Sequence, residues 1–207
     1  MQINNRDNIN FKTKIIFSSP QKFRNVCEKI RSNAKHENIT FWDVKPEHLT
    51  LFLPKNSPLY GYRKILELGY TEGVKSCSAG IVAKKGDNAP LFFHIQDTVA
   101  NIFDFNSLKS SFKGSNAVLV GSKPQFTISC ALFNRIKEIC EQQKLPTTIM
   151  QGLKQGWETD LAYISETDTL YLCVKNNLKD DYVDSLKKAR KVFQTINISP
   201  KDIITFL

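Results

Sequence analysis

Among the five cysteines of this 207-residue chain, Cys77 alone lies in a polar, turn-like setting. The surrounding stretch, TEGVKSCSAGIVAKKGDNAPLFFHIQD, carries Thr71, Cys77 and His94 in the spacing Thr-x5-Cys-x16-His. A cysteine that attacks an amide or thioester must be a thiolate, yet a free thiol has a pKa near 8.5 and is mostly protonated at neutral pH. An imidazole within reach takes that proton and lowers the apparent thiol pKa. Cys77 and His94 are the candidate nucleophile and base.

The segments SAGIVAKK and APLFFHI read as two strands around a turn at Gly86-Asp87-Asn88. Cys77 and His94 then both fall at the open end of one hairpin. Gly73, Ser76, Ser78, Ala79 and Gly80 leave little bulk around the sulfur, and backbone N–H groups near Cys77 are candidates for an oxyanion hole. The imidazole needs a partner on its other nitrogen to fix tautomer and orientation. The Thr71 hydroxyl is one candidate. Gln96 shares a strand face with His94, Asp97 faces away if the strand runs straight, and a main-chain carbonyl would also serve. On spacing alone a second account stands beside catalysis, with Cys77 as small packing material and His94 as a hydrogen-bonded core residue.

The elements that must position these residues can be read from periodicity. FKTKIIF alternates like a strand, and Ser19-Pro20 starts a helix with Ser as N-cap and Pro at its first position. Phe23, Val26, Cys27, Ile30 and Ala34 form the buried face of that helix. ITFWDV and HLTLFL read as strands, and the stretch from Pro54 to Tyr70 as a loop with a helical turn. NAVLVGS reads as a buried strand. Residues Thr127 to Lys144 form the clearest helix, with Ile128, Leu132, Ile136, Ile139 and Cys140 inward and Pro146 ending the pattern. PTTIM, LAYIS and TLYLCVK follow as strands. A second helix is expected from about Asp181 to Thr195, and DIITFL closes the chain as an edge strand. Cys27, Cys130, Cys140 and Cys173 fall in apolar patterns and are assigned to the core.

Strands in runs, broken by about three helices, predict an α+β fold with a β-sandwich core and flanking helices. The length allows roughly 70% of the unfolded surface to be buried. One domain over residues 11–207 is expected, after a polar, flexible N-terminus at residues 1–10. The odd cysteine count, without C-x-x-C pairs or a secretory leader, suggests reduced thiols in a cytosol. Three histidines without a Cys/His cluster argue against a metal, and no cofactor motif is present. No apolar run is long enough for membrane insertion. The net charge, 29 − 20 = +9, is scattered among acids, and no nucleic-acid motif accompanies it.

The segment SCSAGIVAKKG followed by LFFHI resembles the active-site region of the protein-glutamine deamidases. That superfamily includes the chemotaxis-receptor deamidase CheD, the cytotoxic necrotizing factors and Burkholderia lethal factor. Thr71, Cys77 and His94 match the order and spacing of the CheD-type site. Ser76 is a departure, since many relatives have Gly before the nucleophile. The resemblance implies a CheD/necrotizing-factor-like fold and hydrolysis of a target glutamine to glutamate, with Cys77 as nucleophile, His94 as acid and base, and Thr71 as orienting group. If an amine reached the thioester before water, the same site would transglutaminate. It implies a protein substrate, in a host cell if the chain is a delivered bacterial effector or toxin, or in the bacterium's own cytoplasm if it is a regulator. Two alternatives remain: a cysteine protease-like hydrolase, and a non-enzymatic basic module that binds nucleic acid or an acidic protein.

Overall fold

Alternating apolar residues in this chain build sheets whose two faces bury different partners. The computed structural model describes residues 13–36, 42–43, 68–83, 91–95, 97, 105–106, 109, 112, 116–121, 126–151, 156–164, 167, 169–176 and 193–196. In chain order the elements are β1 (Lys14–Phe17), α1 (Pro20–His36), β2 (Trp42–Asp43), β3 (Leu68–Val74), β4 (Ser78–Ala83), β5 (Leu91–Ile95) and β6 (Asn116–Gly121). They continue as α2 (Thr127–Gln142), β7 (Thr147–Gln151), β8 (Trp157–Ile164), β9 (Thr169–Asn176) and β10 (Phe193–Ile196). The protein is α+β, with two mixed sheets among the described residues: a first in the order β1-β9-β8-β3-β2 and a second in the order β10-β7-β6-β4-β5.

Strand periodicity assigns the faces. On β8 and β9, Trp157, Leu161, Tyr163, Leu170, Leu172 and Val174 point one way, into a core shared with Ala79, Ile81, Phe92, Val118, Val120 and Met150 of the second sheet. The two inner faces therefore form one apolar layer, and the arrangement is sandwich-like. The opposite face of the first sheet carries Tyr70, Ala162 and Cys173 and packs on Phe23, Cys27 and Ile30 of α1. The opposite face of the second sheet carries Val82, Phe93, Ile95, Leu119 and Ile149 and packs on Leu132, Phe133, Ile136, Ile139 and Cys140 of α2. Strand β6 is buried at every residue because it is covered on both sides and paired on both edges.

The helix starts follow local chemistry. The Ser19 hydroxyl accepts the Lys22 N–H at 3.3 Å, so Ser19 is the N-cap, with Pro20 as the first helical residue. In α2 the buried stripe runs Ser129, Leu132, Phe133, Ile136, Ile139 and Cys140. This corrects the expected inward placement of Ile128. Ile128 is 56% exposed although it lies about 40° around the helix from Leu132, because it is the second residue of α2, in the helix's first turn.

Two further expectations change. Phe193–Ile196 is strand, not the end of a helix, because it pairs antiparallel with Thr147–Met150 along the edge of β7 not used by β6. An apolar pair three residues apart suits a helix turn, and the available sheet edge overrides it. Leu68–Tyr70 belongs to β3, not to a loop, since it pairs with Ile164 to Ala162 of β8. The expected N-terminal tail, the HLTLFL and DIITFL strands, the loop over 54–67, the helix over 181–192 and the turn at 86–88 lie outside the described residues.

Phe93 tests the outer core of the second sheet. Its ring is fully buried, 5.7 Å from that of Phe112, and covers Gly80 of the paired strand. Phe93→Ala is expected to cost about 3–5 kcal/mol. Urea unfolding should show a lower midpoint with an unchanged slope.

Candidate active site

The hairpin expected from the sequence is formed. Strands β4 and β5 pair antiparallel with Ser78 opposite Ile95 and Ala79 opposite His94. Directly opposed residues share a face, so His94 lies on the inner face beside Ala79, Ile81 and Phe92. Cys77 precedes β4 by one residue and packs against the same inner core, while its side chain remains partly exposed. It is therefore adjacent to Ser78, the residue paired with Ile95, at the end of the strand pair that carries His94.

Thr71 comes from the other sheet. It opposes Leu161 on β8 and so faces inward, toward the second sheet. There its Oγ1 lies 2.7 Å from His94 Nδ1, with both residues 1% exposed. The bond spans the two layers. An imidazole that takes a proton from a thiol must do so through its unprotonated nitrogen. In the tautomer whose Nδ1 donates to Thr71 Oγ1, Nε2 is the basic atom; in the other, the Thr71 hydroxyl donates to Nδ1. Among the sequence candidates for orienting His94, Thr71 makes the contact. Gln96 lies outside the described residues, and Asp97 is half-buried in a turn of helix.

Three residues, Lys75 to Cys77, carry the chain from β3 in the first sheet to β4 in the second. The start of this crossing is a bulge in β3, where three steps from Thr71 to Val74 oppose two from Leu161 to Thr159. Gly73 sits in the bulge with φ of 70°, a left-handed conformation suited to glycine. Its N–H donates to Asp160 Oδ1 at 2.8 Å, and the other oxygen of Asp160 is ion-paired with Lys175. Beyond the bulge, Lys75 pairs with Glu158 at 3.1 Å.

The far end of the crossing is held by the helix layer and β6. Buried Ser129, in the first turn of α2, donates its hydroxyl to the Ser76 carbonyl. In a trans peptide the C=O and N–H point in opposite directions, so the Cys77 N–H is turned away from α2, toward the sandwich interior. Gly121, opposite Ser78, has φ of 136°, and a Cβ there would meet the Cys77 carbonyl. Only glycine allows β6 to end so close to the cysteine. Asp160, Ser129 and Gly121 were not singled out in sequence. An aspartate within the apolar run after Trp157 was the one available signal.

The remaining cysteines differ from Cys77. Cys27, Cys140 and Cys173 are buried, and burial pushes each thiol up to about 12. Cys130 corrects the expectation of a core residue, since it is partly exposed at the margin of the α2 stripe. Among the described residues no cluster of three metal-ligating side chains occurs, and no helix is long and apolar enough to cross a membrane.

Iodoacetamide labelling of the native protein at pH 6 should modify Cys77 first, leave Cys27, Cys140 and Cys173 unmodified until unfolding, and use Cys130 as an exposed reference. His94→Ala should slow Cys77 labelling by about tenfold or more, because the candidate acceptor of the thiol proton is removed. Thr71→Val should also slow it, and Thr71→Ser should restore it by keeping the hydroxyl. Asp160 supplies a separate test, because burial raises its carboxyl above the usual range despite the Lys175 pairing. Lys175→Met should lower stability at pH 7 by less than the about 3–5 kcal/mol of a fully buried pair, since Lys175 is partly exposed. A raised carboxyl pKa favours the folded state at low pH, so this loss should shrink as pH falls and Asp160 is protonated. Thermal melts at several pH values measure it.

No protein-family model and no curated protein sequence matches this chain.

Proposed function

We propose that this protein is a protein-glutamine deamidase with a Cys77–His94 catalytic pair oriented by Thr71. The single observation that carries the reading is the buried 2.7 Å bond between Thr71 and His94, made across two sheets at the end of the hairpin that bears Cys77. Thr71 belongs to the facing sheet, so strand pairing around His94 does not by itself account for the contact. The Thr-x5-Cys-x16-His spacing and the resemblance of SCSAGIVAKKG and LFFHI to the deamidase superfamily support the same reading. The finer fold assignment, CheD/necrotizing-factor-like, belongs to this proposal.

In the reaction, His94 Nε2 takes the Cys77 proton and the thiolate attacks the glutamine carboxamide carbon. The tetrahedral oxyanion is stabilised by backbone N–H groups at the Cys77 turn. His94 returns the proton to the amide nitrogen, ammonia departs, and a thioester remains. Water then loses a proton to His94 and attacks the thioester, and the thiolate leaves with that proton. The net change is carboxamide plus water to carboxylate plus ammonium. Thr71 keeps the imidazole in the tautomer that both half-reactions need. Neutral amide becomes negative charge, which at a buried or interfacial position of the target costs several kcal/mol. Such an enzyme inactivates or locks its protein target, as suits a bacterial effector acting on a host protein or a cytoplasmic regulator.

Ammonia release from a glutamine-containing protein substrate, with the corresponding amide-to-acid mass shift, tests the proposal. Cys77→Ser and His94→Ala should each reduce kcat by about a thousandfold or more, because nucleophile and base act as one unit. A cut peptide bond in place of the mass shift would identify a protease. Full activity of either variant would end the dyad assignment.

A further inference from the structure

We propose that Asp160 is a positioning residue for the Cys77–His94–Thr71 site, holding the β3 bulge that sets both Thr71 and the crossing that bears Cys77. The inference rests on the site assignment above and adds a residue from the opposite side of the sheet.

Regular alternation would put Thr71 and Gly73 on the inner face of β3 and Val74 on the outer one. Instead both Thr71 and Val74 face inward: Thr71 bonds His94, and Val74 is buried in the shared core. The extra residue that permits this lies between them, and the Gly73 N–H it displaces from the ladder goes to Asp160. Asp160 opposes Cys173, on the α1 side of the first sheet, and is fully buried there. A buried carboxylate is costly unless paired and hydrogen-bonded, and its two oxygens are matched to two partners, the bulge N–H and Lys175. Without the acceptor, Gly73 would lose the bond that favours its left-handed conformation. The bulge could then relax toward regular pairing, rotating Val74 out of the core and withdrawing the start of the Lys75–Cys77 crossing.

The neighbouring charges do not duplicate this contact. Lys175 of β9, diagonal to Asp160 in the ladder, is ion-paired with it, Glu158 of β8 is paired with Lys75, and Glu72 is exposed on β3. From α1, Cys27, Arg24 and Arg31 contribute at longer range to the Cys27 and Cys173 thiols beside it. Of these groups, Asp160 is the one bonded to the bulge backbone.

The experiment compares Asp160→Ala, Asp160→Asn, Gly73→Ala and Gly73→Asn in the full chain. The readouts are the pH profile of Cys77 alkylation by iodoacetamide and the NMR titration of the His94 ring, with unfolding midpoints measured in parallel. Asp160→Ala should slow Cys77 alkylation at pH 6 by about tenfold and shift the His94 titration, within the about hundredfold that a misplacement of one ångström costs. Asp160→Asn retains an acceptor for Gly73 and should recover most of the rate. If Asp160→Ala does not fold, Gly73→Ala reads the same bulge: a Cβ there meets nothing within 4 Å, so the backbone conformation alone is strained. It should slow alkylation, and Gly73→Asn, which tolerates the left-handed region, should recover it. Wild-type alkylation profiles and His94 titration in folded Asp160→Ala or in Gly73→Ala would overturn the proposal. Alkylation and titration do not depend on glutamine hydrolysis, so failure of the deamidase reading would appear separately, as wild-type protein that releases no ammonia.

Discussion

The chain must pass from one sheet to the other between Val74 and Ser78, and the geometry of this crossing is the constraint on which the site depends. Two stacked sheets lie about 10 Å apart, a distance that three residues span only if both ends are aimed correctly. The bulge at Gly73 turns β3 toward the second sheet, and the close approach of Gly121 receives the chain at Ser78. Ser129 holds the carbonyl between them. Each device acts on backbone, so the cysteine is located before its side chain makes any contact.

A polar cluster at the rim of an apolar layer carries an energetic demand. Thr71 and His94 are buried beside Val74, Ala79 and Phe92, where a polar group without a partner costs on the order of 1–3 kcal/mol. Their mutual bond meets that demand at Thr71 Oγ1 and His94 Nδ1 and selects one orientation of the ring. Because the two partners belong to different sheets, the bond also ties the relative placement of the layers to the chemistry of the imidazole. The thiols differ in burial. Burial holds Cys27, Cys140 and Cys173 protonated, whereas Cys77 keeps partial access to solvent at the edge of the same core.

Most strands were legible because short apolar and β-branched runs bounded by turn residues favour extended chain. TTIM, the LAYI run and TLYLCV appear where the pattern puts them, as does the helix after Pro20. Misreadings arose where short apolar spacings fit two structures. Phe193 and Ile196 suit one helix turn or a four-residue strand, and the edge of β7 decided. Ile128 shares the helix edge of Leu132 and Ile139, yet in the first turn of α2 it is left in solvent.

Within the site, the sequence by itself put Cys77 and His94 at the same end of one pair of adjacent strands. Both lie on one hairpin, and strand periodicity with a short turn leaves few registers that keep Ile81 and Phe92 in the core. Thr71 as partner of His94 was legible only as one option among several. Tertiary structure decided it, because the contact crosses between layers that local periodicity does not orient. The bond from Gly73 to Asp160, 87 residues away, was not legible, since an aspartate in an apolar run signals a buried charge without naming its partner. A bulge is one extra residue in a ladder, and where it falls depends on which strand becomes the neighbour.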